Sequence, residues 1–185
     1  MRNRSLFSRV VLTISLLVAI SCSPLTSLIQ EEQVLHWEQD IALFDSLNAV
    51  EPAGPSTLLV TGSSSVRLWK TIHEDLAPYQ VMQRGYGGAK LTDFNYYAGR
   101  IIQEGTMKAI LVFVANDISG GEGDRTPREV VQLFRALVKQ IRERNPDTPV
   151  FWIEITPTPS RWHAIEQIRK ANELIRKYCE KNDDL

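Results

Sequence analysis

The sequence predicts an α/β sandwich in three layers, with a mainly parallel sheet between helices. Three observations carry that reading. Short apolar strand candidates alternate with helical stretches, and right-handed crossovers place the helices of such a chain on the faces of a parallel sheet. The run Ala109 to Val114 is apolar and rich in β-branched residues throughout, as in a strand covered on both faces. Three polar clusters, Ser63 to Ser65, Gly85 to Gly88 and Asn116-Asp117, each follow a strand candidate, and ligands of such sheets sit at the carboxyl ends of the strands.

The elements follow in order. Between Leu28 and Asn48, Val34, Ile41, Leu43, Phe44 and Leu47 recur at three- and four-residue steps, which predicts a leading helix. Glu51 to Ser56, with Pro52, Gly54 and Pro55, breaks it. Leu58 to Val60 is a buried strand that runs into Gly62, and a helix to about Leu76 is expected next. Tyr79 to Met82 is a second strand, Arg84 to Gly88 a sharp loop, and Thr92 to Glu104 a helix. After the strand at Ala109 to Val114, the glycine-rich stretch Ser119 to Thr126 predicts a mobile loop. Pro127 suits the first turn of a helix to about Arg144. Val150 to Ile155 is the fourth strand, Thr156 to Ser160 a loop, and Trp162 to Lys181 the last helix.

The 185 residues, 43% apolar and 23% charged, suit one domain with a real core. The 21 basic and 22 acidic side chains nearly cancel, so no field recruits a polyanion, and nucleic acid is not an expected partner. Arg2, Arg4 and Arg9 precede an apolar run from Val10 to Ile20, the pattern of an export signal. The run is well short of the roughly 20 residues that span a bilayer. Ala19-Ile20-Ser21-Cys22 resembles a bacterial lipobox, which makes Cys22 a candidate for lipidation; ordinary cleavage nearby is the alternative. The expected organisation is a signal peptide over 1–21, a lipoprotein tether and leading helix over 22–56, and the α/β domain over 57–185. An exported, envelope-anchored or secreted protein follows. Cys179 has no evident disulfide partner, and no metal-ligand spacing or nucleotide loop is present.

Each polar cluster has a plain reading and a chemical one. Gly62 allows a tight turn, and a serine beyond it sits at a helix start, where it either caps the helix or offers a hydroxyl beside unpaired N–H groups. Gly85 to Gly88 is either a turn or a bare backbone N–H brought close to a reacting carbonyl. Asn116 is either a loop asparagine or an amide donor aimed at the same place.

Taken in order, these stretches resemble the SGNH (GDSL-like) serine esterases. Val60-Thr61-Gly62-Ser63-Ser64-Ser65-Val66-Arg67-Leu68-Trp69 is similar to the first block, in a bacterial variant with Ser in place of the Asp of Gly-Asp-Ser. Arg84-Gly85-Tyr86-Gly87-Gly88 is similar to the second and Val114-Ala115-Asn116-Asp117 to the third. Trp37-Glu38-Gln39-Asp40-Ile41 and Pro159-Ser160-Arg161-Trp162 also resemble this subfamily, so the likeness runs from about Trp37 to the end. It implies a flavodoxin-like sheet of strand order 2-1-3-4-5, Ser64 as nucleophile, and Gly88 and Asn116 as oxyanion donors, with no cofactor.

Two departures stand out. Val114 occupies the place of the third block's glycine. The family's Asp-x-x-His, from a loop after a fifth strand, has no counterpart, because the sequence closes at Lys181-Asn182-Asp183-Asp184-Leu185. The expectation is an incomplete domain with Val150 to Ile155 as an apolar sheet edge. A serine hydroxyl needs a base within hydrogen-bond reach. His36 reads as solvent-facing, His73 lies more than two helical turns beyond Ser64, and His163 is the one substitute. The leading expectation is an extracytoplasmic hydrolase of small-molecule, glycan or lipid O-acyl esters, inactive in this form. The alternative is a catalytically dead envelope lipoprotein that binds glycan or lipid.

Overall fold

The computed structural model describes residues 34–182 and residue 185. The expected signal peptide, Cys22 and the start of the leading helix lie outside the described residues. Helix α1 (Glu38–Val50) leads into β1 (Thr57–Gly62), the single-turn helices α2 (Ser64–Arg67) and α3 (Ile72–Asp75), and β2 (Gln80–Gly85). Then come α4 (Leu91–Ile101), β3 (Ala109–Phe113), α5 (Pro127–Arg144) and β4 (Val150–Trp152). A 3-10 helix (Pro159–Ala164) runs directly into α6 (Ile165–Cys179). Among the described residues no helix is long and apolar enough to cross a membrane.

The four strands are parallel in the order β2-β1-β3-β4, as expected for the first four of the series. Alternation along the strands sends Leu59, Met82, Ile110, Val112 and Val150 to one face, where they join α1, α4, α5 and α6 in the large core. Burying each such side chain contributes about 1.5–3 kcal/mol. The other face carries a small cluster of Val60, Val66 and Ile72, with Leu58, Val81, Leu111 and Phe113 only partly covered. The sandwich is therefore thick on one side and thin on the other.

Three differences from the sequence expectations, in the helix after β1 and in strands β2 and β4, have physical causes. The single helix expected after β1 is two separate turns, because the Gln83 side-chain amide donates to the carbonyls of Val66 (2.6 Å) and Trp69 (3.2 Å), which a continuous helix would use internally. Strand β2 continues beyond Met82 through polar residues. Arg84, only 2% exposed, is accommodated there by Asn48 Oδ1 and Glu51 Oε2, both at 2.9 Å. Strand β4 stops at Trp152 rather than Ile155, and the backbone N–H and C=O of Ile155 pair instead with the Asn172 side chain at 2.9 and 3.0 Å. The loop expected to be mobile is tied around Asp124, whose carboxylate accepts from the Ser119 N–H and hydroxyl and from the Gly120 N–H. Helix α5 starts as expected, with Thr126 and Glu129 forming a reciprocal cap around Pro127.

Candidate active site

In the middle of the sheet, Gly62 pairs with Gly85 on one side and Phe113 on the other, so the segments leaving β1, β2 and β3 emerge side by side. Gly62 has φ +139°, and a Cβ on it would stand 1.9 Å from the Phe113 carbonyl oxygen; no other residue fits. The chain then turns with the Ser63 N–H on the Phe113 carbonyl (2.8 Å) and the Tyr86 N–H on the Gly62 carbonyl (3.1 Å). Ser63, in the N-cap position of α2, is buried yet makes no side-chain cap bond. Ser64 follows as the first residue of the turn, half-buried, and among the described residues its hydroxyl has no hydrogen-bond partner.

The second segment is held from below by Tyr86. Its fully buried ring stacks on Phe94 (6.3 Å between centroids), and its hydroxyl donates to Asp93 Oδ2 at 3.3 Å. Gly88 has φ +69° and lies under the Trp37 ring, whose edge would be 3.2 Å from an added Cβ. Among the described residues the Gly88 N–H donates to no group. Beside it opens a cavity of about 420 Å³ lined by His36, Trp37, Gly88, Lys90, Thr92 and Asp93.

Asn116 reaches across to that segment: its Nδ2 donates to the Ala89 carbonyl at 2.9 Å. On its other side Oδ1 accepts from the Arg161 guanidinium at 2.8 Å, and the same guanidinium donates to the Ala115 carbonyl at 2.5 Å. Val114, in the place of the family's glycine, is fully buried in the large core. Asp117 turns inward instead, and both its oxygens accept from the Leu91 N–H at the start of α4. Burial pushes Asp117 up to about 7, against the partial opposition of that bond, and Asp93 up to about 6, against the Lys90 N–H.

The structure thus joins Asn116 to the loop of Gly88 by a hydrogen bond and puts Ser64 at the end of the neighbouring strand. Among the described residues no histidine hydrogen-bonds to the serine. His163 lies against the Gly120 carbonyl (Nε2 to O, 3.1 Å), His73 is exposed on α3, and His36 is exposed at the cavity beside Gly88. Two contacts went unread in the sequence, Trp37 on Gly88 and Arg161 on Asn116. Both residues belong to stretches already similar to the subfamily, and that was their only signal.

No sequence-family model matches the chain, and no curated protein matches it. Solved structures do. A platelet activating factor structure from Streptococcus pneumonia superposes with TM-score 0.68 at 18% identity, covering 83% of this chain and 75% of that one. A GDSL-like lipase from Bacteroides thetaiotaomicron gives 0.64 at 15% identity, over 77% and 74% of the two chains. AlinE4, an SGNH-hydrolase family esterase, gives 0.53 at 14%, over 71% and 74%. The fold is that of the SGNH hydrolases. Within this SGNH fold the segments after β1, β2 and β3 of the present chain carry Ser64, Gly88 and Asn116.

Proposed function

We propose that this chain carries the nucleophile and the oxyanion donors of a serine-dependent ester hydrolase that works outside the cytoplasm on a small-molecule, glycan or lipid O-acyl ester. In this reaction Ser64 Oγ attacks the acyl carbon and its proton passes to a base. The Ser64 and Gly88 N–H groups and the Asn116 amide hold the oxyanion, the alcohol leaves with the proton, and water releases the acid from acyl-Ser64. The observation that carries the reading is the Asn116 Nδ2 bond to Ala89, which sets one of the donors against the loop of the other, next to the strand that leads to the serine. The half-buried Ser64 hydroxyl, which has no hydrogen-bond partner among the described residues, supports it as well. The leader before Val10 and the Ser21-Cys22 pair support export and lipid anchoring.

The absence of a histidine contact to Ser64 among the described residues favours a second reading, an envelope lipoprotein that keeps the pocket to bind glycan or lipid without turnover. A fluorophosphonate probe with added imidazole separates the two. The esterase reading expects labelling that imidazole accelerates and that Ser64→Ala abolishes. No Ser64-dependent labelling with or without imidazole leaves the binding reading.

A further inference from the structure

We propose that Arg161 is a positioning residue that fixes and polarises the Asn116 carboxamide. The inference rests on the esterase reading for its catalytic meaning, but its geometry stands without it. A carboxamide can sit in a site in either of two orientations that exchange its O and N, and its partners choose between them. Here both ends are specified. A guanidinium can only donate, so the group 2.8 Å from Arg161 must be Oδ1; a carbonyl can only accept, so the group 2.9 Å from Ala89 must be Nδ2. The reversed amide would set donor against donor and acceptor against acceptor at once.

Ala89 takes one of the two Nδ2 hydrogens, and the other remains for a ligand. Arg161 does more than hold the oxygen. Its second nitrogen donates to the Ala115 carbonyl, so the planar fork grips the backbone and the side chain of adjacent residues together. A cation on Oδ1 also draws electron density from the amide and makes the free N–H a stronger donor. The arginine reaches Asn116 from the 3-10 helix that precedes α6, 45 residues away in sequence, which couples that segment to the oxyanion site.

The test uses the ¹⁵N-labelled full chain and two readouts. The first is the pair of Asn116 Nδ2 proton resonances, assigned by their loss in Asn116→Asp. They are expected to be widely separated in the wild type, one proton bonded to Ala89 and the other free. In Arg161→Met they should move to free-amide positions, and in Arg161→Lys, which cannot span both carbonyls, partway. Unchanged resonances in Arg161→Met overturn the proposal. The second is a double-mutant cycle on the Ser64 fluorophosphonate labelling rate. Arg161→Met should slow labelling by between about 10- and 100-fold in the wild-type background and by nothing further in Asn116→Ala. An equal loss in both backgrounds means that Arg161 acts on the fold alone and overturns its role through Asn116. Absence of any Ser64-dependent labelling removes the esterase reading, and the resonances still decide the positioning.

Discussion

Both carboxylate oxygens of Asp117 lie at hydrogen-bond distance from the Leu91 amide, at 3.1 and 3.0 Å, so a fully buried acid caps the helix that follows the Gly88 loop. Asp93 does the same for the preceding amide, with Oδ1 2.8 Å from the Lys90 nitrogen. The two acids share one helix start, and burial drives both toward the neutral form.

That arrangement sets a pH dependence. The folded chain keeps protons on Asp93 up to about 6 and on Asp117 up to about 7, whereas the unfolded chain releases them near 4. Between those limits the native state binds more protons, so stability falls as pH rises from about 4 to about 7. Thermal unfolding across pH 4.5 to 8 should show the decline, and Asp117→Asn should flatten its upper part. Asp124 acts in the opposite sense: burial opposes ionisation, but the Ser119 and Gly120 bonds win and hold it below the usual range, so its contribution is lost only in stronger acid.

Gly62→Ala should be among the most damaging single substitutions. The added methyl would stand 1.9 Å from a backbone oxygen at φ +139°, and neither the strand pairing nor the serine turn can move away. A loss on the order of 3 kcal/mol is expected in denaturant unfolding. A variant with the wild-type midpoint would mean that the turn is built differently.

Asn172→Ala removes the side-chain partners of the Ile155 backbone N–H and C=O. Both groups are buried behind a strand end, so the loss should be about 1–3 kcal/mol per orphaned group, an upper bound if water enters. Asn172→Asp can still accept the Ile155 N–H but cannot donate to its carbonyl. An unchanged midpoint in both variants would remove Asn172 from the account of how β4 ends.

Asn116→Ala separates function from folding. It deletes one proposed oxyanion donor and should lower the Ser64 labelling rate by roughly 10²–10³. The thermal midpoint should move far less than in Gly62→Ala, since among the described residues the side chain gives up just the Ala89 and Arg161 bonds. Equal labelling rates in wild type and Asn116→Ala would exclude the amide from the oxyanion site.

Much of this was legible along the chain. The apolar run before Asn116 and the capped helix after Pro127 stand almost where periodicity puts them, because local pattern and tertiary burial agree there. Strand β2 was under-read because Gln83 and Arg84 are polar, and their burial depends on Val66, Asn48 and Glu51, which are remote in sequence. The same holds for the broken helix after Ser64. In the loop at Ser119 the glycines are visible along the chain, whereas the Asp124 side chain that gathers the Ser119 and Gly120 N–H groups acts only once folded.

The strand order and the choice of Ser64, Gly88 and Asn116 came from the resemblance to the SGNH esterases. By itself the sequence determined the class of fold and the three polar segments that follow the strands. Those depend on hydrophobic period and on turn residues, which are properties of neighbours along the chain. The tertiary structure alone decided that Trp37 covers Gly88, that Arg161 orients Asn116, and that Asp117 faces the core rather than the site. Each of these is a contact between groups far apart in sequence, and no local preference encodes the direction in which a side chain meets a partner that packing has yet to deliver.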